Sequence, residues 1–135
     1  PKDLGEVFAQ LNRLIDEQSR QRFKNVPEDM AAKKLHFSLG RWMIHNWGFY
    51  GGSRLSVYLQ KIGLTYPDDM ARFLMITYHR YLNKKDLEVK KLAEHFQDMR
   101  QKEYLEALQQ GEVLHEETRQ RPRPDSTATK GDGKQ

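Results

Sequence analysis

The chain has 135 residues, no cysteine, a formal charge of +4, 37% hydrophobic and 31% charged residues. That is material for one domain with a modest core under a wet surface, and it excludes disulfide staples, thiolate metal sites and cysteine nucleophiles. No run approaches the roughly 18 apolar residues of a membrane span, and no secretory signal is visible. A cytoplasmic setting is therefore expected, although the chain opens at Pro1 and so leaves room for a removed leader.

The first helix is signalled by Asp3 as cap and Glu6 three residues on. Leu4, Val7, Phe8, Leu11, Leu14 and Ile15 follow at three- and four-residue steps and share one face. The polar run Asp16 to Arg22 reads as an extension of that helix with little burial. Asn25-Val26-Pro27 breaks it, because the residue before proline avoids helical torsions. Pro27-Glu28-Asp29-Met30-Ala31 restarts a helix, with proline at its first position and two acids at the positive end of the helix dipole. The same recipe returns at Pro67-Asp68-Asp69-Met70-Ala71. The residues after the two copies do not align, so a duplicated repeat is not expected.

Leu35 to Leu82 holds both tryptophans, every tyrosine but Tyr104, and the double glycine Gly51-Gly52. The other helices are expected to pack onto it. Leu35, Leu39, Trp42, Met43 and Trp47 form one stripe, with Trp42 read as core, and Gly40 within it allows a close backbone approach. Gly48 ends that helix, Phe49-Tyr50-Gly51-Gly52 is a turn, and Ser53 caps the next helix. That helix carries Leu55, Tyr58, Leu59 and Ile62 and closes at Gly63-Leu64 in a Schellman ending. From Pro67 to Leu82 the pattern is apolar on most sides, which predicts the central and most buried helix. Asn83-Lys84-Lys85 ends it, and Asp86 is placed to cap a last helix with Val89, Leu92, Phe96 and Met99 on one stripe. Gly111 is a candidate stop or fray point. From Thr118 onward almost nothing can be buried, which predicts a disordered tail. No stretch alternates with period two. The fold class is all-α, a compact irregular bundle of about five or six helices, with a domain over 1–117 and a flexible polar tail over 118–135.

Four constellations could carry chemistry. Gly51-Gly52-Ser53-Arg54 has the parts of an anion cradle: converging backbone N–H groups, a helix start and a bidentate guanidinium. It lacks a Walker A ending, and a serine-capped turn with Arg54 paired to Asp68 or Asp69 accounts for the same residues. The five histidines stand in no metal-ligand spacing, and His36 and His45, nine apart, fall on opposite sides of a helix. Asp68 and Asp69 are adjacent and diverge, so helix-start electrostatics explains them better than acid–base work. No serine has a nucleophile-elbow context. Neither a metal nor a cofactor is expected. The fourth set is Trp42, Trp47, Phe49, Tyr50 and Tyr58 with Arg41 and Arg54, residue types that protein interfaces and single-stranded nucleic acid both use. Phe49 and Tyr50, in a glycine turn, are the better interface candidates.

Across Leu35-His36-Phe37-Ser38-Leu39-Gly40-Arg41-Trp42, then Asn46-Trp47-Gly48 and Gly52-Ser53-Arg54-Leu55, the chain resembles a bacterial helical family known as a domain of unknown function. Its members read His-Phe-x-Leu-Gly-x-Trp, Asn-Asn-Trp-Gly-Leu and Gly-Ser-x-Leu. The resemblance continues through Gly63, Tyr66-Pro67-Asp68-Asp69-Met70 and Tyr78-His79-Arg80-Tyr81-Leu82-Asn83, covering roughly Pro27 to Leu87. His45, Tyr50 and Tyr66 depart from the pattern. The resemblance implies a compact helical domain in which the Trp-Gly turn and the Pro-Asp-Asp-Met helix start form a unit. It supplies no activity, cofactor or substrate.

The missing catalytic signatures favour a non-catalytic protein-interaction module, a bacterial accessory, adaptor or immunity-like protein, with a protein partner. Its site residues would be Phe49, Tyr50, Gly51, Gly52, Ser53 and Arg54, with Arg41, His79 and Arg80. The central stretch is locally basic, with Arg41, Arg54, Lys61, Arg72 and Arg80 against Asp68 and Asp69. Binding of nucleic acid or another polyanion is therefore the first alternative. A small enzyme working on an anionic small molecule at the Gly51–Arg54 corner, with His79 as acid–base, is the second.

Overall fold

A computed structural model of the chain describes residues 1–120. Its elements are α1 (Leu4–Leu14), α2 (Glu17–Asn25), α3 (Glu28–Leu35), a π-helical turn (His36–Gly40), α4 (Arg41–Asn46), α5 (Arg54–Lys61), α6 (Pro67–Leu82) and α7 (Val89–Gln120). The π turn joins α3 to α4 without a break, so the described residues carry six helices and no strand. The chain divides into two compact units, Pro1–Asp98 and the residues from Met99 onward. α7 gives its first turns to the first unit and its remainder to the second. The tail expected over 118–135 lies, from residue 121, outside the described residues.

In the first unit α6 is the hub. Met70, Ala71, Phe73, Leu74, Met75 and Tyr78 are all buried, as are the polar Asp69, Thr77 and His79. Partial exposure is confined to the stripe Asp68, Arg72, Ile76 and Arg80, with Pro67 and the ends Tyr81 and Leu82. A helix with so little solvent face belongs in the middle of a bundle. Thr77 finds local partners: its Oγ1 donates to the carbonyls of Phe73 and Leu74, both at 3.0 Å. α1 packs its apolar face, Leu4, Val7, Phe8 and Leu11, against this hub. Phe8 stacks on Tyr81 at 4.7 Å, and the Tyr78 hydroxyl donates to Asn12 Oδ1 at 2.7 Å. Burial pushes the Tyr78 phenol up to about 12.

The expected extension of the first helix through Asp16–Arg22 is overturned. Ile15 is extended, and Asp16 caps a separate helix, accepting the Ser19 N–H at 2.7 Å. That bond holds the Asp16 carboxyl below its usual range. The break is stabilised from the other side by Arg20, whose Nη1 donates to the carbonyls of Asn12 and Ile15 at the end of α1. Carbonyls that a continued helix would satisfy are satisfied by a side chain instead.

The π turn is a second departure from the expected pattern. It takes in one residue more than an α turn, so positions beyond it lag by roughly 100°. Met43 and Trp47 stay inward, but Trp42 rotates from the expected core stripe to the edge and is 38% exposed. The turn lies where Gly40 meets α6. A Cβ on Gly40 would come within 3.2 Å of His36 Nδ1 and 3.3 Å of the Met75 methyl, so the close approach expected at this glycine is present.

Two helices end in the same device. After α5, the Gly63 N–H donates to Gln60 O (3.0 Å) and the Leu64 N–H to Leu59 O (2.9 Å), with Gly63 at φ +107. This is the Schellman ending read from the sequence. After α6, the Lys84 N–H donates to Tyr81 O (3.1 Å) and the Lys85 N–H to Arg80 O (2.9 Å). Here the left-handed residue is Lys84, at φ 56. Asp86 does not cap α7, which starts at Val89: Arg80 Nη1 holds the Leu87 carbonyl at 2.6 Å, and Glu88, just before the helix, is left-handed at φ 50. Leu92 and Phe96 of α7 are buried, whereas Met99 is exposed.

A side chain in the left-handed region costs on the order of 1 kcal/mol that glycine avoids. Lys84 is exposed and in no ion pair among the described residues. Lys84→Gly is expected to stabilise the protein by about 0.5–1 kcal/mol, read as a rise in the urea midpoint at unchanged slope.

Candidate functional site

The glycine corner is built by two left-handed glycines, Gly48 at φ 62 and Gly52 at φ 75. The bend at Gly48 folds the chain back on α4, and the Phe49 N–H donates to Ile44 O at 3.2 Å. The Gly51 and Ser53 N–H groups both turn to Gly48 O, at 3.0 and 3.5 Å. Ser53 Oγ accepts the Ser56 N–H at 3.2 Å, and Ser56 Oγ donates back to Ser53 O at 2.8 Å. Two amides of the expected cradle, Gly51 and Ser53, and the Ser56 amide of the following helix start are thus directed at the chain's own acceptors. The arrangement is that of a rigid, serine-capped turn.

The side chains of this corner divide. Phe49 is only 3% exposed and belongs to the core, which corrects its place on an outward surface. An aromatic ring brings 150–250 Å² of area to burial, and the fold-back at Gly48 lets the first turn residue use it. Tyr50, one residue on, is 83% exposed at the tip of the turn. Arg54 is exposed at the first position of α5. Arg41 is exposed too, its guanidinium carbon 5.3 Å from the centroid of the Phe37 ring.

Phe37 is the residue that periodicity did not single out. It is 74% exposed on the π turn. Trp42 adds a partly exposed indole, edge-on to the buried Trp47 at 5.6 Å. The helical phase that turns Leu35 and Leu39 inward already points Phe37 outward, whereas the exposure of Trp42 follows from the π turn.

His79 and Arg80 do not join the corner. His79 is 3% exposed; its Nε2 donates to Val26 O at 2.7 Å, its ring stands edge-on to Phe23, and its Nδ1 is buried without a hydrogen-bond partner. Arg80 grips Glu28 with Nε at 2.7 Å and Nη2 at 3.1 Å. Both are structural, which withdraws them from a partner surface and removes His79 as an acid–base for the corner. Two clefts on the first unit, of about 490 and 340 Å³, are lined by no residue of 48–54. Asp68 lies 3.7 Å from His36 Nε2, and Asp69 lies 3.4 Å from Arg72 Nη1. Among the described residues no group of three or more His, Asp or Glu could hold a metal ion, and no helix is long and apolar enough to cross a membrane.

The family model of DUF6794, a domain of unknown function, matches residues 1–82. The chain belongs to the DUF6794 family. No curated protein and no solved structure matches it. The DUF6794 match runs from the chain start to the last residue of α6, so it takes in the hub, the π turn and the glycine corner, and it leaves out α7. Within the DUF6794 segment the structure joins the His36–Gly40 turn to the Pro-Asp-Asp-Met helix, through His36 beside Asp68 and Gly40 against Ala71 and Met75.

The Arg80 hydrogen bonds hold the Glu28 carboxyl below its ordinary value of 4.5. A carboxyl depressed by folding contributes stability that is present above the unfolded value and lost as pH falls through the folded one. The Glu28 side chain is 37% exposed and Arg80 15%, so solvent screening limits the pair to about 1 kcal/mol. Glu28→Gln is expected to lose that amount at pH 7, with the gap to wild type closing below pH 4.5 in matched denaturation curves.

Proposed function

We propose that the chain is a non-catalytic protein-interaction module whose contact surface is the stretch from Phe37 to Arg54. The observation that carries the reading is Tyr50, 83% exposed on a turn made rigid by its own hydrogen bonds. An aromatic held in place loses little conformational freedom on binding, and aromatics and arginine are the residue types that dominate interface energetics. Phe37 and Trp42 add exposed aromatic area, and Arg41 and Arg54 add cations without ion pairs among the described residues. Scattered apolar residues are ordinary on a surface; three outward aromatics in one stretch with guanidinium groups that make no ion pair among the described residues are less so. The wider setting we infer is that of a bacterial accessory, adaptor or immunity-like protein in the cytoplasm.

A polyanion-binding reading has weaker support. Of its five cations, Arg80 is committed to Glu28 and Arg72 lies against Asp69. That leaves Arg41, Arg54 and Lys61. Three neutralised phosphates would give a salt slope of roughly −0.9 per phosphate on duplex DNA.

The test is affinity capture from the native host with the full chain and with a Phe37→Ala, Tyr50→Ala, Arg54→Ala variant. All three side chains are exposed, so the melting temperature should stay put. Loss of one protein partner at least tenfold is the expected result. Recovery of the same partners by both proteins would remove this surface, and recovery of nucleic acid that disappears on raising salt would favour the alternative.

A further inference from the structure

Where α1, α2, α3 and the π turn meet, a cleft of about 490 Å³ opens on the first unit. Its floor is apolar: Ile15, Phe23, Val26, Leu35 and Leu39. Ile15 and Val26 sit in the two extended joints on either side of α2. Apart from Phe23, all these floor residues are only partly buried. The charged groups of the lining are Arg22 and Lys34, both cationic and both exposed, and no carboxylate lines it. Ser19 completes the wall, its Oγ accepting from Arg22 Nη2 at 3.1 Å. The acid that feels the Arg22 charge is Asp16, and its carboxylate is already engaged with the Ser19 N–H.

We propose that this cleft binds a free straight-chain amphiphile with one anionic head. The tail lies along the Ile15–Leu39 floor, and the head is held by Arg22 and Lys34. Two magnitudes favour a small ligand over a protein. The volume falls within the roughly 300–1,000 Å³ typical of small-molecule pockets. A protein interface engages about 20–30 residues a side, far more than line this cleft. Charge decides the class of head: two cations beside an apolar floor with no lining acid reward an anion and repel a cation.

The experiment titrates the full chain calorimetrically with dodecanoate below its micellar concentration. Dodecyltrimethylammonium serves as the same tail with the opposite charge. Dodecanoate is expected to bind one to one, at least tenfold tighter than the cation, and to shift the methyl NMR signals of Ile15, Val26, Leu35 and Leu39. Arg22→Gln with Lys34→Gln alters exposed side chains only, so the fold survives; it should weaken dodecanoate about tenfold. Equal affinity for the two probes would overturn the proposal. So would dodecanoate binding unchanged in the double variant, shifts outside those four residues, or binding seen only on anionic phosphatidylglycerol vesicles.

Discussion

The first unit depends on how α6 holds the elbow between α2 and α3. The chain breaks at Val26-Pro27, so the last carbonyls of α2 have no helical donors. Three side chains from the end of α6 supply those donors or anchor the start of α3. Asn83 Nδ2 donates to Lys24 O at 3.1 Å, His79 Nε2 to Val26 O at 2.7 Å, and Arg80 to the Glu28 carboxylate at 2.7 and 3.1 Å. A buried carbonyl left without a donor costs about 1–3 kcal/mol. α2 buries only Phe23, worth some 1.5–3 kcal/mol of apolar transfer. Polar satisfaction therefore matters as much as burial in placing this helix.

The same logic recurs at the other helix ends. Arg20 satisfies the carbonyls that end α1, and Gln97 Nε2 reaches Ile62 O at 3.2 Å beside the end of α5. A Cβ on Gly63 would lie 1.4 Å from that amide nitrogen, so the glycine serves both the left-handed ending and the approach of Gln97. Short helices broken by extended joints can pack irregularly around one apolar rod because long polar side chains close several of their ends and backbone N–H groups close others. Arg80 is the clearest case, since one guanidinium ties α3 through Glu28 and the loop before α7 through Leu87.

Features of this fold are legible in the sequence where their signals are local. Helix starts at Asp3 and Ser53, the glycine stops at Gly48 and Gly63, and the apolar circumference of α6 are each written within a few residues. They appear as expected. The break at Ile15 is also local, in Asp16 three residues before Ser19, but the helical periodicity running into it masks the cap. Lys84 taking a left-handed torsion has no composition cue, because glycine is the usual occupant. The π turn is invisible for a different reason: it exists through contact with α6, and one inserted residue changes which side chains face out. That single shift moves Trp42 outward. Likewise His79 and Arg80 have the chemistry of a site, and only the tertiary partners Val26 and Glu28 reveal that they are internal fasteners.

Under the proposed binding role, holding the DUF6794 fold together and meeting a partner fall to different residues. The polar groups near the hub that are suited to binding or proton transfer, His79, Arg80 and Asp69, are buried or paired. The Phe49, Gly51 and Ser53 amides of the glycine corner are engaged by the chain's own carbonyls. Among the groups exposed at the turn and the π segment are the rings of Phe37 and Tyr50 and the guanidinium groups of Arg41 and Arg54. Groups of that kind supply shape, stacking and charge to a contact. The proposed binding role therefore draws its support from what is outward there, while His79 is committed to Val26 and the Gly51 and Ser53 amides to Gly48.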